Sequence, residues 1–203
     1  MILDPRVCYQ ALRTHDASLE ISGESSMTET FYSFYDSPVG RLMLVSDGSH
    51  LVGLHTGTRN KPKVSPKEGW ILNDDAVPFA LAKKQLSAYF KKQLTIFDIP
   101  LKMDGTDFQK AVWKELQRIP YGETISYGEQ ARRMGNPEAV RAVGGANGRN
   151  PIAIIVPCHR VIGTDGTLTG YAGGLSRKQF LIALEGGQLS MSPTGAATIH
   201  ENG

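Results

Sequence analysis

Pro157, Cys158, His159 and Arg160 stand in a row, so a thiol, an imidazole and a permanent cation lie within three residues. A free thiol titrates near ~8.5 and is mostly protonated at neutral pH, and a neighbouring cation or base is the usual way to make it a nucleophile. Both neighbours are present here, which points to nucleophilic chemistry at sulfur. The competing reading is structural, because free cysteine is among the most buried residue types and this one ends an apolar run. That run, Ile152 to Val156, is rich in β-branched residues and bounded by Pro151 and Pro157. Its composition predicts a short buried strand that aims the thiol, with Pro157 forming a rigid corner because its φ is fixed and it has no N–H to donate.

The surrounding motifs are more specific than the tetrapeptide alone. Asn150-Pro151, the run from Ile154 through Pro157-Cys158-His159-Arg160 to Gly163, and Gly170-Tyr171-Ala172-Gly173-Gly174 resemble the O6-alkylguanine-DNA alkyltransferases. The resemblance runs nearly without a gap from Gly105 to Glu185. It implies a single-turnover S-methyltransferase that repairs double-stranded DNA by taking the alkyl group of O6-alkylguanine onto its own cysteine. By that resemblance Cys158 is the acceptor, His159 is its base acting through a water, and Glu185 orients His159. Asn150 would fix the turn that holds Cys158, and Tyr127 would donate to the guanine ring as charge develops.

The same resemblance places a helix with small side chains in the minor groove, with Arg141 intercalating where the damaged base leaves. Ser126, Ala139, Ala142, Gly144, Asn147 and Arg160 are expected at DNA or substrate, together with Tyr171, Ala172 and Gly173 of a pocket-lining loop. No cofactor and no metal is implied. One departure is Gln130, which stands where the family usually has an aliphatic residue and is expected to loosen helix packing. Two rival readings remain open. One is a lesion sensor of the same fold without transfer activity, although such relatives lack the acceptor cysteine. The other is a cysteine hydrolase, which consecutive residues on an extended strand disfavour because they point to opposite faces.

Those residues need elements to hold them. Thr106-Asp107-Phe108-Gln109 and Ser126-Tyr127-Gly128-Glu129 both read as capping boxes. The first predicts a helix with Phe108, Val112, Leu116 and Ile119 inward. The second predicts a helix ending at Gly135, after which Asn136-Pro137 starts another as N-cap and first helical residue. The pair makes a helix-turn-helix. Gly144 and Gly145 in the second helix each cost about 1 kcal/mol relative to Ala, which calls for a close partner backbone, either DNA or the segment carrying Cys158. Ser176 is expected to cap a last helix with Phe180, Leu181 and Leu184 inward.

Upstream, strands over 28–35, 40–46 and 51–54 with a hairpin at Asp47-Gly48 predict an antiparallel meander. A helix capped by Asp75, burying Phe79, Ala82, Leu86 and Tyr89, should pack on it, and 94–103 reads as a closing strand and linker. The fold class expected is therefore an α/β, ribonuclease-H-like N-terminal domain (27–103) followed by a mainly α, winged-helix-like domain (104–187). Residues 1–26 read as a flexible leader, whose Asp4 to Leu12 resembles the opening of a phosphotriester-sensing domain without its zinc cysteines. Residues 188–203 read as a disordered tail.

In the whole chain of 203 residues, 40% are hydrophobic and the net charge is +2. That charge alone makes no case for nucleic acid. Between residues 131 and 178, however, Arg132, Arg133, Arg141, Arg149, Arg160, Arg177 and Lys178 face only Glu138 and Asp165, which suggests a basic face. Cys8 and Cys158 are the two cysteines and no Cys-x-x-Cys occurs, so neither a disulfide framework nor a zinc site is expected. With no membrane-length apolar run and no secretory pattern, a monomer in the cytoplasm is the expectation.

Overall fold

The alternation of apolar and polar residues between Phe31 and Thr56 folds as an antiparallel meander of β1 (Phe31–Ser37), β2 (Gly40–Ser46) and β3 (Leu51–Thr56). The computed structural model describes residues 29–57 and 65–186, and the backbone of Leu189–Met191 and Ala197–Ile199. The expected leader over 1–26 lies outside the described residues. β1 and β2 pair from Phe31 opposite Ser46 to Ser37 opposite Gly40, whose φ of +102° makes the tight turn. A two-residue β4 (Ile71–Leu72) adds parallel to β1, giving the order β3-β2-β1-β4. Two residues carry no periodicity, and β4 is not legible in the sequence.

Helix α1 (Phe79–Phe90) buries Phe79, Ala82, Leu86 and Tyr89, as the three-to-four spacing predicts. It starts after Pro78 without a side-chain cap, so Asp75 does not have the capping role expected of it. The closing strand expected over 94–103 reduces to one bridge, Leu101 beside Leu51, held by Leu51 N donating to Pro100 O at 2.8 Å and Lys102 N to Leu51 O at 3.1 Å. Pro100 has no N–H with which to extend the ladder.

The first capping box is present in full: α2 (Asp107–Leu116) has Thr106 accepting from Gln109 N and Gln109 accepting from Thr106 N. Val112, Leu116 and Ile119 are buried as expected, Trp113 joins them and donates to Ala146 O at 2.9 Å, and Phe108 is 38% exposed. β5 (Ile125–Ser126) leads into α3 (Tyr127–Arg133), where Ser126 accepts from Glu129 N at 3.0 Å. The Glu129 carboxylate turns outward to Arg132 and Arg133, so this box is half formed. Gly135, at φ +74°, ends α3. A 3-10 turn over Pro137–Ala139 then opens α4 (Val140–Gly148), and Asn136 provides no side-chain cap.

Gln130 does not loosen this pair of helices. It is fully buried, accepts from Asn147 Nδ2 at 2.7 Å and donates to Val112 O at 3.2 Å, so it ties α2, α3 and α4 together. Gln130→Leu should strand the Asn147 amide and destabilise the protein by about 1–3 kcal/mol. Urea unfolding checks this, and an unchanged midpoint would contradict it.

The strand expected over 152–156 does not form. Only Ile152 bridges, to Leu54, and the chain then turns through Ile154 at φ +72°. A β-branched residue rarely tolerates that conformation, and it is held here by burial of Ile152, Ile154 and Val156 and by Asn150 Nδ2 donating to Val156 O at 2.7 Å. Beyond the turn, β6 (Val161–Ile162) pairs parallel with β5, and α5 (Leu175–Leu184) closes the fold. α5 starts after Gly174, not on Ser176, and buries Lys178, Leu181 and Ile182 while Phe180 is 39% exposed. Of the expected disordered tail, Leu189–Met191 and Ala197–Ile199 pair as an antiparallel ribbon, β7 with β8, and the remainder lies outside the described residues.

Candidate active site

Pro157 ends the Ile154 turn and Cys158–Arg160 form a 3-10 turn, so consecutive side chains fan out from one tight corner. Cys158 is buried and its Sγ accepts from Asn150 Nδ2 at 3.3 Å. Asn150 also fixes the turn before it, through Val156 O and through Ile152 N donating to its Oδ1 at 3.0 Å. Burial pushes the thiol pKa up, and the Asn150 bond and the charge of Lys178 pull it back.

His159 is fully buried, with Nε2 at 2.8 Å from Glu185 Oε1 and Nδ1 without a partner among the described residues. Burial, aided by Arg160 and Lys178, holds the imidazole below its usual range despite Glu185, so the ring stays neutral and able to accept a proton. Glu185 is a hub at the end of α5. It accepts from Tyr89 Oη at 2.7 Å, from Arg160 Nε at 2.8 Å and Nη2 at 3.0 Å, and from Gly122 N at 3.3 Å. Burial opposes its charge, but His159 and Arg160 hold its pKa at about 2. Gly122, at φ +82°, lies so close that a Cβ would stand 2.9 Å from Glu185 O.

Arg160 is therefore not on a DNA face. It is 7% exposed, forked onto Glu185, and donates to Ile119 O at 2.6 Å, because a buried carboxylate needs a fixed counter-charge. Asn147, expected at DNA or substrate, is 3% exposed with its amide spent on Gln130, and it lines the same cavity as Cys158. Of the basic face, Arg177 donates to Val39 O and Gly173 O, each at 2.6 Å, and Lys178 donates to Val161 O at 2.5 Å and Thr169 O at 2.6 Å. Arg132 and Arg133 pair with Glu129. Arg141 remains exposed and without a partner among the described residues.

The remaining expected residues divide between two surfaces. Tyr127 donates to Gly170 O at 3.1 Å and Thr169 O at 3.2 Å, and burial, with the Cys158 charge, pushes its pKa up to about 12. Ser126 spends its hydroxyl on the α3 cap. Tyr171, Ala172 and Gly173 line a cavity of about 350 Å³ together with Cys158, Asn150 and Ala153. Leu54 and Thr56 of β3 complete its wall, a contribution from the N-terminal sheet that the sequence did not announce. Ala142 is exposed on α4, and Ala139 and Gly144 are half-buried. A Cβ at Gly144 would meet only Tyr127 ring carbons at 3.8 Å and one at Gly145 only Arg149 Nη1 at 3.5 Å, so no contact within the molecule demands either glycine.

Lys178 and Tyr89 are also unannounced. Lys178 is fully buried, sits 5.7 Å from the Tyr127 ring centroid and feels the Cys158 charge, yet burial draws its pKa down to about 8. Its position one residue after Arg177 on α5 gave only the appearance of a solvated basic pair.

Residues 30–103 match the model of the 6-O-methylguanine DNA methyltransferase ribonuclease-like domain, and residues 107–187 that of the DNA binding domain of the same family. A methylated-DNA–protein-cysteine methyltransferase of Methanosarcina acetivorans is 51% identical over 156 residues, which is 77% of this chain and 98% of the relative. One of Mycolicibacterium paratuberculosis is 54% identical over 155 residues, 76% of this chain and 91% of the relative. The O6-methylguanine methyltransferase of Mycobacterium tuberculosis superimposes with a TM-score of 0.70 at 51% identity, over 77% of this chain and 92% of that one. A crystal structure of that organism's OGT in complex with DNA gives 0.71 at 52% identity, over 76% of this chain and 92% of that one. On these matches and this fold, the chain belongs to the 6-O-methylguanine DNA methyltransferase family.

Proposed function

We propose that this protein repairs DNA by moving the alkyl group from O6 of an extrahelical guanine to Cys158, irreversibly and once per molecule. The observation that carries the reading is the cavity with Cys158 in its wall, backed by a neutral buried His159 and the Glu185 hub. In the transfer, Sγ forms a bond to the alkyl carbon as the C–O6 bond breaks and O6 keeps the electron pair. The thiol proton goes to His159, whose Nδ1 is the ring atom without a protein partner, by way of a water. Glu185 and Arg160 fix the ring for that task. Tyr127, kept protonated by its high pKa, turns its hydroxyl from the Gly170 and Thr169 carbonyls to donate toward the guanine as the base takes up charge. Loss of a thioether is not a hydrolysis the site can perform, so the acceptor is spent.

A base inside a duplex cannot reach Sγ, and the exposed face of α4 supplies a means to extract it. Gly144 and Gly145, for which no contact within the molecule demands a glycine, suit a narrow minor groove, and Arg141 projects from the same helix without a partner among the described residues. Residues 27–103 act as a supporting domain and 104–187 as the DNA-binding and acceptor domain. Among the described residues no helix is long and apolar enough to cross a membrane, and we place the protein in the cytoplasm as a monomer.

Incubation with an O6-methylguanine duplex and no added cofactor should convert the lesion to guanine, read by digestion and chromatography of the DNA. A lesion that persists beside excess protein contradicts the reading. Arg141→Ala should lose the flipping contribution of a few kcal/mol, slowing single-turnover repair of duplex by on the order of 100-fold. Repair of the same lesion in a flexible single strand should suffer less, and equal losses on both substrates would contradict the role.

A further inference from the structure

The path from Cys158 through His159 to Glu185 lies wholly within the C-terminal domain, yet one side chain of the N-terminal domain reaches into it. Tyr89, in the last turn of α1, is fully buried and donates from Oη to Glu185 Oε1 at 2.7 Å. Oε1 is the carboxylate oxygen that faces the base, with His159 Nε2 at 2.8 Å and Arg160 Nη2 at 3.0 Å. The other oxygen, Oε2, takes Arg160 Nε and Gly122 N. Of these donors Tyr89 alone comes from residues 30–103.

The phenol is held to this role. Its ring packs among Phe90, Phe97 and Tyr121, with centroids 5.3, 5.3 and 6.1 Å away. Burial and the Glu185 charge push its pKa far up, so Oη is a permanent donor. A buried hydroxyl needs only some acceptor, and a backbone carbonyl would serve. Ending on the oxygen that holds the imidazole adds a second effect. A hydrogen bond to a carboxylate oxygen draws off charge and weakens its pull on the next proton, because bonds in a chain polarise one another.

We infer that Tyr89 is a positioning residue of the relay, through which the N-terminal domain limits how strongly Glu185 pulls on His159 and so keeps that ring neutral until it takes the Cys158 proton. The inference deepens the alkyl-transfer reading and rests on it. Arg160 of the same turn and Lys178 of α5 oppose a charge on His159, and Glu185 is the group that favours one. Tyr121, from the loop after α2, lies near Glu185 but gives its hydroxyl to Leu184 O at 3.3 Å. Tyr89 therefore acts on the single attractive partner of the base. Without its hydroxyl, Oε1 keeps more charge, holds the Nε2 proton more tightly and raises the pKa of His159. Transfer needs the neutral ring, so it would then fade at a higher pH on the acid side.

Tyr89→Phe keeps the packed ring and removes only Oη. The acid limb of single-turnover transfer from an O6-methylguanine duplex should move up by about half to one pH unit. The NMR titration of the His159 ring, assigned by its loss in His159→Asn, should move with it, and the Nε2 proton should shift downfield. Replacing Tyr89 by 3-fluorotyrosine, a stronger donor of nearly the same shape, should move all three the opposite way. A purely structural Tyr89 gives a lower Tm with limb, titration and proton shift unmoved. That result, or shifts of one sign in both variants, would overturn the proposal. The two NMR readouts need no DNA, so a parent protein that transfers no methyl group would overturn the alkyl-transfer reading separately.

Discussion

The Cys158→Ala protein should fold, bind a lesion-bearing duplex and leave every lesion in place. The sulfur contributes little to the architecture: its one side-chain partner, Asn150, keeps its bonds to Val156 O and Ile152 N when Sγ is gone. A stability loss of about 1 kcal/mol is the scale expected for such a truncation. Transfer, by contrast, loses its acceptor, since Cys158 is the sole cysteine among the described residues and lies in the cavity wall. Intact mass after incubation with O6-methylguanine duplex should show no methyl on the variant, while gel-shift affinity for that duplex stays within a few-fold of the parent. A methylated variant would move the acceptor elsewhere, and lost binding with lost fold would assign Cys158 to the core.

Glu185→Gln should be the most damaging change that removes no reacting atom. Each carboxylate oxygen accepts from at least two groups, and Arg160, buried with it, has no other anion among its bonds. An amide matches the shape but turns a donor toward Arg160 in either orientation, against Gly122 N as well in one and Tyr89 Oη in the other, and it leaves a buried guanidinium uncompensated. Breaking one partner of such a pair costs about 3–5 kcal/mol, on the order of 10 °C in Tm for a protein of this size. With His159 no longer held by a charge, transfer should slow about 100-fold or more. Thermal unfolding and single-turnover kinetics read the two effects, and a variant with parental Tm would contradict the hub.

The same carboxylate sets an acid limit. Its folded pKa of about 2 lies below the ordinary 4.5, so its contribution is fully present above 4.5 and is lost as pH falls toward 2. By linkage that contribution is on the order of 3 kcal/mol. The parent should therefore lose stability over that window more steeply than Glu185→Gln, a difference that denaturant titrations at successive pH values would show.

How much of this was legible depended on the range of the interaction. The acceptor and its base are neighbours in sequence, and Pro157 announces the corner between them, so Cys158 and His159 could be read directly. The capping boxes at Thr106 and Ser126 are likewise local, and their helices start where the residues say. The hub was half visible: Glu185 came from a family motif, but Tyr89 reaches it across 96 residues and leaves no local trace. Arg160, Arg177 and Lys178 misled because charge suggests solvent, whereas each here satisfies buried carbonyls or a carboxylate that only tertiary packing brings near. The apolar run before Cys158 misled for a related reason. Composition favoured a strand, but one bridge to Leu54 and the Asn150 bonds fold it into a turn. Thr56 lies in a domain whose sequence shows no chemistry, and only the pairing of β3 with Pro151 and Ala153 brings it to the cavity.

One stoichiometric titration addresses the central claim. Purified protein is mixed with rising amounts of O6-methylguanine duplex and weighed intact after completion. The account predicts a mass gain of a single methyl that saturates at one per protein, maps to the peptide containing Cys158, and leaves surplus lesion unrepaired. Continued repair past equivalence, or an unchanged mass with the lesion bound, would show that the sulfur of Cys158 is not where the alkyl group ends.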